Sequence, residues 1–450
     1  MRRNDTTTEN NSKPTDTTDK PAPTRRRRKK PEENPKPDPF DISDLFFFNS
    51  LDDEAKPTDT DEDPDMSFLS YRVKQIPLIT PIEMNEKIEQ LGYRGQSEAR
   101  RSVSLMAYRH IRRLRRLYVD RENPEEVGKK INLLLMGPTG CGKTYLIETL
   151  FSGILDLPTV IVDITPFSET GYVGQDPNNI LTRMYHKADR DDRLARIGII
   201  ALDEFDKLAS NQNNAVFAGA GTTKDITGMG VQRELLKMLE SSEVNVPVEL
   251  THSSYVETVN LRTGDIAFIA IGAFSGFNTI LNRYHRGTIG GFSKGNSDEK
   301  RKIYADNAIA VTYSHEEVDN VAYFQSYGFL PELIARFGQI IPFAALDTET
   351  MKQILEDNVL STIRREFEME DIELVVKDEV INHVVNLALK RETGARGLSS
   401  LIFRYLEDKA FEMFGSGKKA RLIAEMDGER IISRLEENNG KNYRRRPRKA

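Results

Sequence analysis

Short apolar runs separated by helical stretches predict an α/β fold: a parallel sheet with helices on both faces, then a smaller, mostly helical α/β unit. Three observations predict it. Ile131 to Met136, Thr159 to Ile164, Ile197 to Leu202 and Ile266 to Ile271 have the length and aliphatic content of buried strands, with helical segments between them. The first run leads straight into Gly137-Pro138-Thr139-Gly140-Cys141-Gly142-Lys143-Thr144, a G-x-x-x-x-G-K-T loop that Tyr145 to Leu150 can continue as a helix. From about Leu346 the pattern turns helical, with one further strand candidate at Ile372 to Val376.

The chain has 450 residues and a formal net charge of −6, which suggests more than one unit and says little about partners. The expected organisation is an arm over residues 1–65, a large unit over 66–345, a small unit over 346–435 and a basic tail over 436–450. Cys141 is the single cysteine, which excludes a disulfide framework or a cysteine-based zinc site within one chain. No run reaches membrane-spanning length, and no apolar segment follows the basic N-terminus to make a signal peptide. A soluble, cytoplasmic protein is expected.

The arm is rich in Thr, Asp, Asn, Pro, Lys and Arg and is expected to be disordered. It carries a basic block, Arg25 to Lys30, and an apolar stretch, Phe40 to Phe48, followed by acids. That stretch is either a docking motif for an adaptor or a segment that packs on its own domain. Ser97 to Tyr118 predicts a helix with Val103, Ala107, Ile111, Leu114 and Tyr118 on one face. Its other face carries Arg100, Arg101, Arg109, Arg112, Arg113, Arg115 and Arg116. With few interleaved aromatics, this reads as solvated surface or a subunit contact rather than a nucleic-acid interface.

The glycine-rich loop predicts phosphate binding. Backbone N–H groups of Pro138-flanked Thr139, Gly140, Cys141 and Gly142 can wrap phosphate oxygens, Lys143 adds a full charge, and the Thr144 hydroxyl can ligate Mg²⁺. Cys141 sits at a helix N-terminus beside Lys143, which is expected to favour its thiolate. The third apolar run ends in Asp203-Glu204, at the strand end where an open parallel sheet binds ligands. Asp203 is placed to hold Mg²⁺ through water, and Glu204 to polarise an attacking water. The reaction expected is ATP hydrolysis; no N-K-x-D guanine-reading motif is present. Between these motifs, Tyr172-Val173 lies bracketed by Gly171 and Gly174. It is either a turn with a packed tyrosine or an aromatic paddle for a polypeptide.

GPTGCGKT, ETGYVGQD, IIALDEFDK, GFLPELIARF and TGARGL occur in that order between about Leu91 and Glu425. In these motifs the chain resembles the ClpX unfoldases, ring-forming AAA+ ATPases. The resemblance implies a homo-hexamer with ATP between subunits that threads protein substrates through its pore. It implies Arg336 as the arginine finger, Arg396 as the sensor-2 arginine, and Tyr172 and Val173 as the first pore loop. It implies Asp225 to Gln232 as the second pore loop and Gly272-Ala273-Phe274 as the sensor-1 position, here without a polar side chain. Two features depart from the family pattern. The four-cysteine zinc domain is not expected, and the tripeptide that docks a ClpP-type peptidase reads Ile289-Gly290-Gly291-Phe292, one glycine longer. Where the family has aliphatics on the adenine side, this chain has Tyr93 and Arg94, either of which could stack on the base. The readings carried forward are a peptidase-coupled unfoldase, a remodeller without a peptidase, and, with least support, a nucleic-acid motor; an ATP-binding adaptor without turnover disagrees with the intact motifs.

Overall fold

The computed structural model describes residues 63–168, 175–209, 226–240, 243–249, 257–288, 313–417 and 419–437. The arm motif at Phe40 to Phe48, the Tyr172-Val173 pair, the Ile289 to Phe292 stretch and the end of the basic tail lie outside them.

Five strands form one parallel sheet. In chain order the strands of the large unit are β1 (Leu133–Met136), β2 (Thr159–Asp163), β3 (Ile199–Asp203), β4 (Glu243–Pro247), β5 (Thr258–Arg262), β6 (Ala267–Gly272) and β7 (Gln339–Pro342). The sheet order is β2-β3-β6-β1-β7, while β4 and β5 make a separate antiparallel pair. Alternation along each strand feeds two cores. Leu134, Met136, Ile200, Leu202, Phe268 and Ala270 pack on one face. Leu133, Leu135, Ile199, Ala201, Ile269 and Ile271 pack on the other. Burial on both faces is why these strands read as unbroken apolar runs.

The expected strands are present with shifted ends. β3 starts at Ile199 because Ile197 and Gly198 close the preceding helix, Asp192–Arg196, through bonds to Leu194 and Ala195 carbonyls. β7 was not expected: it has four residues, ends in Pro342, and pairs with β1 across some two hundred positions of chain, so local pattern does not reveal it.

The helix Ser97–Tyr118 buries the predicted face, with Val103, Ala107, Ile111, Leu114 and Tyr118 all shielded. Much of its arginine face is spent internally. Arg100 is 5% exposed and pairs with Glu89. Arg113 bonds Asp265 and the Gly128 carbonyl, Arg115 the Ile76 carbonyl, and Arg116 pairs with Glu122. Cations committed in this way are withdrawn from any phosphate backbone.

The second pore-loop assignment needs correction. The helix Ile226–Leu239 takes in Ile226 to Gln232 of that motif, while Asp225 lies outside the described residues. Val231, Leu235, Met238 and Leu239 recur at helical spacing and enter the core, so burial overrides the two glycines.

A small helical and β domain follows. The helix Thr348–Ile354 passes through a π-helical stretch, Leu355–Leu360, into Ser361–Met369. Then come β8 (Ile372–Val376), the helices Asp378–Lys390 and Gly394–Met413, and an antiparallel pair, β9 (Ala420–Asp427) and β10 (Arg430–Glu437), with β8 parallel to β9. The core of this domain is separate from those of the large sheet. Among the described residues, no helix is long and apolar enough to cross a membrane.

Candidate nucleotide site

At the carboxyl end of β1 the chain turns through the glycine-rich loop into the helix Lys143–Ile147. Two glycines are required by close approach. Gly140 has φ +76°, and a Cβ there would sit 2.6 Å from the Thr393 carbonyl oxygen. Gly142 has φ +93°, and a Cβ there would meet the Tyr93 hydroxyl at 2.9 Å. Both conformations and both contacts exclude larger residues.

Lys143 is 7% exposed, and its Nζ donates to the Gly137 and Pro138 carbonyls at 2.6 and 2.7 Å. The ammonium is thereby held within the loop. Thr144 Oγ1 donates to Asp203 Oδ2 at 2.9 Å, so the two predicted Mg²⁺ ligands are brought together by β1 and β3. Both are hard oxygen donors, the chemistry Mg²⁺ prefers, so the residues fit the ion. Asp203 Oδ1 accepts from the Glu204 N–H at 2.9 Å. Glu204 has φ +55°, a left-handed conformation that costs a non-glycine residue about 1–2 kcal/mol. Asp206, 3% exposed, accepts from the Ala273 N–H at 3.0 Å and from Lys207 at 3.1 Å. Asp206 therefore joins the turn after Glu204 to Ala273 at the end of β6, a link with no advance signal beyond its spacing from Glu204. Phe274 points away from the site into an aromatic cluster with Phe277, Phe324 and Phe329.

A cavity of about 290 Å³ lies over this loop. Its walls include Tyr93, Arg94, Thr139 to Tyr145, Asp203 and Glu204 from the large unit, and Leu346, Ile354, Asn358, Ala395 and Arg396 from the C-terminal side. The segment that carries Arg396 touches the loop directly: the Ala395 N–H donates to the Gly140 carbonyl at 3.1 Å. Arg336 is not among the lining residues. It is partly exposed and pairs with Glu240.

Tyr93 and Arg94, expected on the adenine side, both line the cavity and are both engaged within the fold, while the expectation for Cys141 changes. Tyr93 is 2% exposed, donates its hydroxyl to the Gly142 carbonyl at 3.2 Å, and stacks on Tyr145 with centroids 5.9 Å apart. Burial pushes its phenol pKa up. It is a prop beneath the glycine-rich loop, with its ring stacked on Tyr145. Arg94 is drawn off by Asp357, at 2.8 Å, and by the Glu89 carbonyl at 2.6 Å. Of the two tyrosines lining the cavity, Tyr93 is buried and Tyr145 half-exposed. Cys141 is buried, and burial raises its thiol pKa more than Lys143 lowers it, so the thiolate is disfavoured. The helix N-terminus and the Lys143 charge are legible in the sequence; the burial that outweighs them is not.

The family model for the AAA domain (Cdc48 subfamily) matches residues 128–340, and that for the C-terminal, D2-small domain of ClpB protein matches 346–424. An ATP-dependent Clp protease ATP-binding subunit ClpX of Porphyromonas gingivalis is 32% identical over 359 residues, covering 78% of this chain and 82% of that relative. The same-named subunit of Azotobacter vinelandii is 32% identical over 378 residues, covering 80% and 82%. This chain belongs to the ClpX family. It is accordingly an AAA+ ATPase, and at family level an ATP-dependent Clp unfoldase. ClpX membership makes the cavity over Gly140 and Lys143 the candidate nucleotide site.

Proposed function

We propose that the protein is a hexameric, ATP-driven unfoldase and translocase that threads polypeptides through a central pore. The observation that carries this is the division of the arginines. Arg396 lines the cavity formed with its own phosphate loop, whereas Arg336 stands outside it against Glu240. That arrangement supports an active site completed by Arg336 of a neighbouring copy.

In this reading, Thr139 to Gly142 and Lys143 bind the phosphates, and Arg396 reaches them from the small domain. Mg²⁺, held by Thr144 and Asp203, would neutralise charge on the phosphate oxygens. Glu204 accepts a proton from the attacking water, oriented by the turn that its left-handed backbone makes. The neighbour's Arg336 stabilises charge in the transition state. Because Leu346, Ile354 and Arg396 share the cavity with the loop, its closure and opening rotate the small domain against the large one. Tyr172 and Val173 convert that rotation into a pull on substrate.

Two variants test this. Glu204→Gln is expected to bind ATP and assemble while losing turnover; retained hydrolysis would remove Glu204 from its role. Tyr172→Ala is expected to hydrolyse ATP without unfolding a tagged client; unimpaired unfolding sinks the paddle. Delivery to a ClpP-type peptidase through Ile289, Gly290, Gly291 and Phe292 is the favoured downstream step. The added glycine favours, as second reading, a remodeller with no peptidase. Capture of a ClpP-type peptidase by wild type but not by Phe292→Ala distinguishes the two.

A further inference from the structure

Gln232 lies 0% exposed on the helix Ile226–Leu239, and its amide is used on every side. Nε2 donates to the Leu208 carbonyl at 2.7 Å and to the Gly328 carbonyl at 3.1 Å. Oε1 accepts from the Leu330 N–H at 2.8 Å. Leu208 ends the 3₁₀ turn Phe205–Leu208 that begins directly after Glu204. Gly328 and Leu330 lead into the helix Pro331–Ile334, and Arg336 follows that helix. One buried amide thus ties the turn that carries Glu204 to the segment that carries Arg336.

Neighbouring contacts run along the same line. Phe205 stacks on Phe329, centroids 5.1 Å apart, and meets Phe337 edge-on at 5.4 Å. A Cβ on Gly228 would come within 2.8 Å of the Leu208 carbonyl oxygen, so the first turns of the Gln232 helix press on that turn. The helix is followed by Glu240, which pairs with Arg336. Burial makes each bond demanding: an apolar replacement would strand two carbonyls and one N–H in a low-dielectric core. Three elements held by fixed bonds move as one body.

We propose that Gln232 is a positioning residue that couples a subunit's own hydrolytic turn to the arginine it presents to its neighbour. A change at Glu204 is passed through Leu208 and Gln232 to Leu330 and on to Arg336. The inference rests on the reading above that Arg336 acts in trans.

The test uses mixed rings. Full-length wild-type subunits are doped with Glu204→Gln subunits, whose own sites are silent but which still offer Arg336. A parallel series uses Glu204→Gln/Gln232→Met, and a third uses Glu204→Gln/Arg336→Ala as the reference for a lost finger. Ring size is measured alongside ATP turnover. At equal doping, the Gln232→Met series is expected to turn over at least ~2-fold more slowly than the Glu204→Gln series, because losing a finger cation costs roughly a thousandfold at each affected site. It should approach the Arg336→Ala reference. A merely structural role in the subunit's own site would not move this readout, since that site is already silent. If Gln232→Met fails to assemble, Gln232→Glu, which keeps the acceptor for Leu330, carries the comparison. Doping curves that coincide with Glu204→Gln alone overturn the Gln232 assignment. A wild-type chain that forms no ring, or Arg336→Ala dopants that are harmless, overturns the reading beneath it instead.

Discussion

Tyr93 shows how much of the site is supported from below. Its hydroxyl meets the Gly142 carbonyl, and its ring fills the space a side chain at Gly142 would need. Tyr93→Phe removes one hydrogen bond and should cost about 1 kcal/mol in stability. Tyr93→Ala removes the prop and should cost about 3–5 kcal/mol, with ATP affinity falling as well; denaturant melts and nucleotide titration read both. His110 makes a second prediction. It is 4% exposed, and burial, aided by Arg113, depresses its pKa to about 4. The unfolded chain takes up the proton near its ordinary value of about 6.5, the folded chain only near 4. The unfolded state therefore binds more protons in that window, and stability is lost as pH falls from about 6.5 to 4, by up to about 3 kcal/mol. His110→Met should flatten this part of the melting-temperature profile. An unchanged profile would move the acid sensitivity elsewhere.

Between elements, the contacts that matter join the large sheet to the small domain. Arg94 pairs with Asp357 and Asn358 Nδ2 donates to the Gly92 carbonyl at 2.9 Å, while Gln96 exchanges bonds at 2.6 and 3.1 Å with the backbone of Ala344, just before the small domain begins. The ion pair is partly exposed, so it contributes at most about 1 kcal/mol to stability. Its place at the junction gives it a different weight in function. Asp357→Ala should melt close to wild type yet raise the KM for ATP severalfold, because Arg94 no longer holds the two walls of the cavity in register; steady-state ATPase assays check this. The arginine-rich helix Ser97–Tyr118 yields the opposite expectation. With Arg100, Arg113, Arg115 and Arg116 bonded within the fold, duplex DNA at low salt should leave ATPase activity unchanged. Stimulation that falls steeply with salt would revive a nucleic-acid role.

For the molecule as a whole, nucleotide binding should report on both domains at once. A ligand that binds the folded chain at a hundred times its Kd adds about 2.7 kcal/mol of stability. Glu204→Gln, which is expected to bind without turnover, should show that shift in its thermal melt. Lys143→Ala should lose it. Arg396→Ala should reduce it while leaving the nucleotide-free melt in place, because Arg396 is exposed and its contribution appears only with phosphate present. A full shift in Arg396→Ala would confine binding to the large domain and remove the basis for domain closure.

What the chain order alone determined was local. Gly137 to Thr144, Asp203-Glu204 and the apolar runs before them are contiguous, and their chemistry follows from adjacent residues; the strands from Leu133, Thr159, Ile199 and Ala267 confirm those runs. The stretch Ile372–Val376 was legible for the same reason. Tertiary structure decided whatever depends on a distant partner. β7 exists because β1 is there to pair with it. Tyr93 is a prop, and the Cys141 thiol is shielded, because the interior closes around them. Gln232 leaves the pore-loop motif for the core because Leu208, Gly328 and Leu330 converge on its amide. Hydrogen bonds and burial are satisfied between segments that meet only in the folded chain, and no periodicity in one segment encodes what the other will offer.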